Sequence, residues 1–370
     1  MEIGSILEFD DKELYMDNPQ KGIDDFTLPF MNGEKYNINF YQNARNATEA
    51  LCLYLKSQIS SVILPDYVCS TVSDSINRAG IDVIRYHLNK DFQFDIEEIN
   101  QLMKDYSEAD KKTVLYIVHY FGKALDSSLV ALAKEWMSKG YTVFEDITMS
   151  IFSKDDGNFG FGNYIIGSLR KWLPIPDGGF IASKNLLPEV PEFEDISRYC
   201  YYSYLAQEMK RDYIRGGETD NVLKEDYMRH YKKSIDYLFS DYTIYPVSGI
   251  TEKYLSNYSC ENIIARRKAN YKYFYEKLAD IDFVKPLIPV SDNYLPFGMI
   301  VTTNNRDELL SFLVSKDVYC NVHWRLDYEG LGEEAKLLSS SIMTIPCDQR
   351  YGTKDFDRIV EVLKEYKSGK

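Results

Sequence analysis

Residues 113–146, TVLYIVHYFGKALDSSLVALAKEWMSKGYTVFED, decide the fold. TVLYIVHYF is a continuous apolar run rather than an alternating one, which predicts a strand buried on both faces. SSLVALAKEWMSKG predicts a helix and YTVFED a second short strand. Strand, helix and strand in that order make a crossover unit whose strands run parallel. The same alternation extends upstream. ARNATEALCLYLKSQ (44–58) places Ala47, Ala50, Leu51 and Leu55 at helical spacing. SVIL then reads as a strand, followed by a loop containing Pro65 and a helix stopped by Gly80. IDVIRYHL reads as a strand and DIEEINQLMKDY as a helix. The expectation is an α/β fold, with a mostly parallel sheet sandwiched by helices.

Downstream, SKDDGNFGFGNYIIGS is glycine-rich and only weakly periodic, and RKWLPIPDGGFIAS reads as a loop entering a strand. Residues 190–275 read as mostly helical and charged. From about 280 the pattern becomes α+β, with strands in FVKPLIP, PFGMIVTT and VYCNVHW and helices in RDELLSFLVSKD and DFDRIVEVLKEYK. These patterns predict a large domain over 1–255, with a polar N-terminal arm, and a smaller C-terminal domain over 256–370.

The chain has 370 residues and a formal charge of −14, from 43 basic and 57 acidic side chains. A surface so acidic repels phosphate backbones, which argues against a nucleic-acid partner. No apolar run is long enough to span a membrane, and the N-terminus lacks a signal layout, so the expected location is the cytoplasm. The six cysteines form no C-x-x-C pair and the four histidines are scattered, so no metal site is expected.

Four places could carry chemistry. Lys171 lies beside tryptophan and prolines ahead of Gly178 and Gly179; desolvation there would lower its pKa and make it a Schiff-base nucleophile. A solvated loop charge is the plainer alternative. Asp146 ends a parallel strand, where open α/β sheets bind ligands, although a helix cap would look the same. In NARNATEAL a loop enters a helix at Ala44, Arg45 and Asn46, whose N–H groups could bind an anion beside the Arg45 charge. An ordinary Asn-capped helix is the alternative. Tyr67, in DYVCST, could stack on a flat ring or simply pack. A lysine, a strand-end carboxylate, an anion site and an aromatic are together the parts that pyridoxal 5′-phosphate chemistry requires.

At these residues the sequence resembles the DegT/StrS-type aminotransferases, which have the aspartate-aminotransferase fold (PLP-dependent transferase fold type I) and usually act on nucleotide-linked keto sugars. FEDITMS resembles the family's aspartate motif, SLRKWLPIPDGG its lysine motif, LPDYVCSTV the segment whose aromatic stacks on the cofactor, and NARNATEAL its phosphate loop. VHYFGKALD resembles the strand-end motif and carries His119 and Gly122. The resemblance implies Lys171 as the cofactor lysine, Asp146 as the pyridinium partner and Tyr67 as the stacking ring. It places Ala44, Arg45, Asn46, Ser168 and His119 around the cofactor. Met149 stands where the family often has Gln or His, and Ile166 where it usually has Ser; Ser168 could replace that hydroxyl.

The implied reaction is transamination, from an amino acid donor such as glutamate to a keto acceptor. A PLP-dependent dehydratase or lyase is one alternative, and a catalytically silent PLP-fold binding protein another. The family also implies a homodimer with shared active sites. Tyr201, Tyr202, Tyr204, Tyr213, Tyr254 and Tyr258 are candidate interface aromatics, with packing inside the chain as the competing reading.

Overall fold

A computed structural model describes residues 2–9, 23, 26–107, 112–154, 157–257 and 260–368. After β1 (Ile3–Gly4) come β2 (Asn37–Tyr41), α1 (Ala44–Leu55), β3 (Ile59–Pro65), α2 (Ser70–Arg78) and β4 (Asp82–Tyr86). The series continues with α3 (Ile96–Asp105), β5 (Lys112–Val118), α4 (Ser127–Ser138), β6 (Val143–Asp146), β7 (Tyr164–Ser168) and β8 (Gly179–Ser183). Seven of these strands form one sheet in the order β2-β8-β7-β6-β5-β3-β4. β3 to β7 are mutually parallel, and β8 runs antiparallel to both β7 and β2. Every residue of β6, β7 and β8 is buried, as strands covered on both faces must be. Local chemistry starts the helices: the side chains of Asn43, Asp95 and Asp126 accept backbone N–H bonds at the heads of α1, α3 and α4.

Four helices follow: α5 (Arg198–Arg215), α6 (Asn221–Ser240), α7 (Gly249–Ser256) and α8 (Glu261–Leu278). The C-terminal part contains β9 (Lys285–Pro286), β10 (Met299–Thr302), α9 (Arg306–Ser315), β11 (Val318–Tyr319), α10 (Glu333–Ser341), β12 (Ile342–Ile345) and α11 (Thr353–Ser368). β10 lies antiparallel between β12 and β9. One apolar core runs from the large sheet (Val62, Leu115, Ile117) into this part (Met299, Ile300, Leu363); a second gathers Phe40, Ile165, Trp172 and Phe180. No described helix is long and apolar enough to cross a membrane.

The mostly parallel α/β sheet follows the sequence reading, but several elements do not. β1 is a strand only because it pairs with β11, more than 300 residues away, a contact no local pattern encodes. Glu2 and Lys210 beside it are buried: Glu2 accepts from the Tyr227 hydroxyl and faces Lys210 and the partly exposed Lys224, and Lys210 Nζ donates to the Gly4 and Ile6 carbonyls. β2 and β7 were hidden in polar or glycine-rich surroundings. α10 passes directly into β12 with no turn residue between them. VYCNVHW is a strand only at Val318–Tyr319, with one bridge from Asn321 to Thr344.

Candidate active site

The C-terminal ends of β5, β6 and β7 open onto a cavity of about 150 Å³. Ala44, Arg45, Asp146, Ser168 and Lys171 all line it, brought from three separate stretches of chain. A wider cavity of about 960 Å³ shares Arg170 and Lys171 with the first and reaches α5, α6, residues 5–7 and His323.

Asp146 is buried at the end of β6. Its Oδ2 accepts the Tyr116 hydroxyl at 2.9 Å, and its Oδ1 accepts the Thr148 N–H at 2.8 Å. Tyr116 and Val118 point into the cavity from β5, and the strand's period of two sends Ile117 and His119 the other way. A tyrosine inside an apolar strand needs a partner for its hydroxyl, which was the available signal for this missed residue.

Lys171 ends a short 3-10 turn over Leu169–Lys171. The loop behind it is held from several sides. Leu169 N–H donates to Gly178 O at 2.8 Å, Trp172 Nε1 donates to Thr148 O at 2.8 Å, and Gln349 Nε2 donates to Trp172 O at 2.8 Å. From α5, Gln207 bonds Ile175 O, and Tyr199 and Ser203 both bond Pro176 O. Fully buried Asp177 accepts the Ser248 N–H and hydroxyl and the Thr251 hydroxyl, which fastens the loop to the start of α7. Burial pushes the Asp177 carboxyl up to about 6, against the pull of those donors.

The Lys171 amine itself makes no hydrogen bond or ion pair with any described residue. Its pKa is lowered, chiefly by burial and further by the Arg170 charge, with Cys69 and Asp146 opposing. Burial, and then the Lys171 charge, bring His323 down to about 3, so its ring is neutral near pH 7.

At the head of α1, Asn43 takes the Asn46 N–H on its side chain and the Ala47 N–H on its carbonyl. The Ala44 and Arg45 N–H groups have no partner among the described residues. Gly179 lets β8 approach this turn, because a Cβ there would collide with the Asn43 carbonyl and Ala44 N. Arg45 donates to Leu238 O, and its guanidinium lies over Phe239.

Three expected residues do not reach the cavity. Tyr67 is fully buried: its hydroxyl donates to His323 O and accepts the Trp324 N–H at 3.1 Å, and its ring packs 5.5 Å from Trp324. Cys69 and Trp324 line the wall there, and Tyr67 packs behind Trp324. His119 lies on the far face of the sheet, bonded through Nε2 to buried Glu145 at 2.7 Å. Glu145 is in turn fixed by the Gly160 and Gly162 N–H groups. Asn46 spends its side chain on Thr243 O. Among the interface candidates, Tyr213 and Tyr254 are buried within the chain against Tyr227 and Phe9. Tyr202 and Tyr204 pack on Tyr237 and Phe9, Tyr201 is exposed, and Tyr258 lies outside the described residues.

The fold has counterparts among solved structures. One is a DegT DnrJ EryC1 StrS aminotransferase from Brucella abortus, at 15% identity and TM-score 0.61, covering 89% of this chain and 86% of that one. PseC of Helicobacter pylori, an aminotransferase involved in the biosynthesis of pseudoaminic acid, matches over 99% of both chains at 12% identity and TM-score 0.65. The chain has the fold of these aminotransferases. The sugar aminotransferase CalS13 of Micromonospora echinospora is similar at 15% identity and TM-score 0.58, over 89% of this chain and 87% of that one. No family model and no curated protein matches the sequence.

Proposed function

We propose that the chain is a pyridoxal-phosphate-dependent aminotransferase that moves an amino group from an amino acid to a keto sugar. One observation carries the reading: an unpaired, pKa-lowered lysine and a strand-end carboxylate line one cavity whose rim offers free backbone N–H groups. The residues fit the cofactor. Lys171 would hold its aldehyde carbon, Asp146 its ring nitrogen, and the Ala44 and Arg45 N–H groups with the Ser168 hydroxyl its phosphate. When bound, the cofactor supplies an electron-withdrawing ring next to the reacting carbon. The protein does the rest. Burial keeps more of the Lys171 amine neutral, so it can attack a carbonyl and later take and return a proton at the substrate carbon. Asp146, oriented by Tyr116 and Thr148, stabilises positive charge at the ring nitrogen. Trp324 and Met149 close the wall against water. Sugar acceptors are supported by the described activities of the fold relatives and by the room in the wider cavity.

The purified protein with added cofactor should show a visible absorption band that borohydride bleaches and glutamate shifts. Lys171→Ala should lose the reducible adduct and at least roughly 10²-fold in turnover, with the fold intact by circular dichroism. A wild-type protein with no such band would point to a silent fold. A reducible adduct surviving in Lys171→Ala would place the chemistry on another lysine.

A further inference from the structure

We propose that Arg170 anchors an anionic group of the substrate, a carboxylate or a phosphate, where the two cavities meet. The inference rests on the aminotransferase reading and adds to it the charge of what is bound. Among the described residues Arg170 and Lys171 alone line both cavities, so a molecule that spans the two at the lysine would lie against the guanidinium. Arg170 Nε is buried without a partner, and the side chain forms no ion pair with any described carboxylate. Its guanidinium lies 5.7 Å from the centre of the Tyr199 ring, and the charges near enough to act on it, Arg45 and Lys171, are themselves cations. An uncompensated guanidinium in a half-buried position is costly, and a bound anion would offset that cost.

The surroundings add to the imbalance. Arg45, Arg170 and Lys171 line the narrow cavity against a single acid among the described residues, Asp146. Lys232 and Arg229 line the wide cavity, Arg229 paired with Asp226 and Lys232 with no described ion-pair partner, and Glu225 is the only acid among the described residues there. In a chain of charge −14 this concentration of cations runs against the overall sign. On the aminotransferase reading the Ala44 and Arg45 N–H groups and the Ser168 hydroxyl serve the cofactor phosphate, and none of these residues lines the wide cavity. Arg170 therefore faces the substrate side, and its planar fork suits carboxylate or phosphate oxygens.

The test is calorimetric binding of two non-reacting probes, glutarate for a dicarboxylate donor and UDP for a phosphorylated acceptor, to the cofactor-loaded protein. Arg170→Gln should weaken one probe about tenfold or more while cofactor affinity, measured by absorbance, stays within about threefold. Arg170→Lys should fall between, because it keeps the charge and loses the fork. The probe affected identifies the source of the anion. Unchanged binding of both probes to a variant that melts like wild type would overturn the proposal. So would a tenfold loss of cofactor affinity alone, which would assign Arg170 to the cofactor phosphate. A wild-type protein that takes up no cofactor fails the aminotransferase reading instead, and shows it before any variant is made.

Discussion

The two ends of the narrow cavity are built on opposite principles. At the acid end, Asp146 already has both oxygens engaged, by Tyr116 and by the Thr148 N–H. At the cation end, Lys171 and Arg170 have no such partners among the described residues, although the loop that carries them is bonded from α5, α7 and Gln349. The scaffold is complete while the charges it presents are left open. Stability and function are thus divided between the backbone of this loop and its side-chain tips. A folded protein tolerates unpaired cations where a ligand is to complete them.

The largest effect should come from spoiling the finished end. Asp146→Asn should keep the fold and slow turnover roughly 10³-fold, since a neutral amide cannot hold a positive ring nitrogen. Wild-type turnover in that variant would remove Asp146 from the mechanism. The next effect concerns the scaffold. Folding raises the Asp177 pKa from 3.8 to about 6, so its protonated form is favoured in the native state. Its contribution to stability is fully present below about pH 4 and is lost as pH rises through about 6, a change on the order of 3 kcal/mol. Melting curves of Asp177→Asn should lack this component, and identical pH profiles in the two proteins would mean the buried carboxyl does not titrate. The smallest effect is expected from Tyr116→Phe, which removes one of two donors to Asp146. A loss of about 1 kcal/mol in denaturant stability and less than tenfold in turnover is expected. A loss as large as that of Asp146→Asn would show that the hydroxyl, rather than the carboxylate alone, sustains the acid end.

Much of this was legible in advance because it is local. Apolar runs without alternation, helical spacing and capping residues each act within a few positions, and they placed β3 to β6, the helices between them, and Asp146 at a strand end. The Lys171 loop was legible too, since its prolines and paired glycines restrict the backbone locally. Sidedness was harder to read. Tyr67 and Cys69 lie two residues apart, and only the packing of Trp324 decided which of them faces the cavity. His119 follows Val118, and one step along a strand moved it to the opposite face.

By itself, then, the sequence determined the order of elements and the residue types at each strand end, because both depend on neighbours along the chain. The tertiary structure alone decided which side chains share a cavity, because that depends on how residues 44, 69, 116, 146, 171 and 324, far apart in the chain, are brought around one space. It also decided that Arg170 is left without an acid among the described residues. An unpaired charge is a property of its surroundings in space, and no spacing along the chain records it.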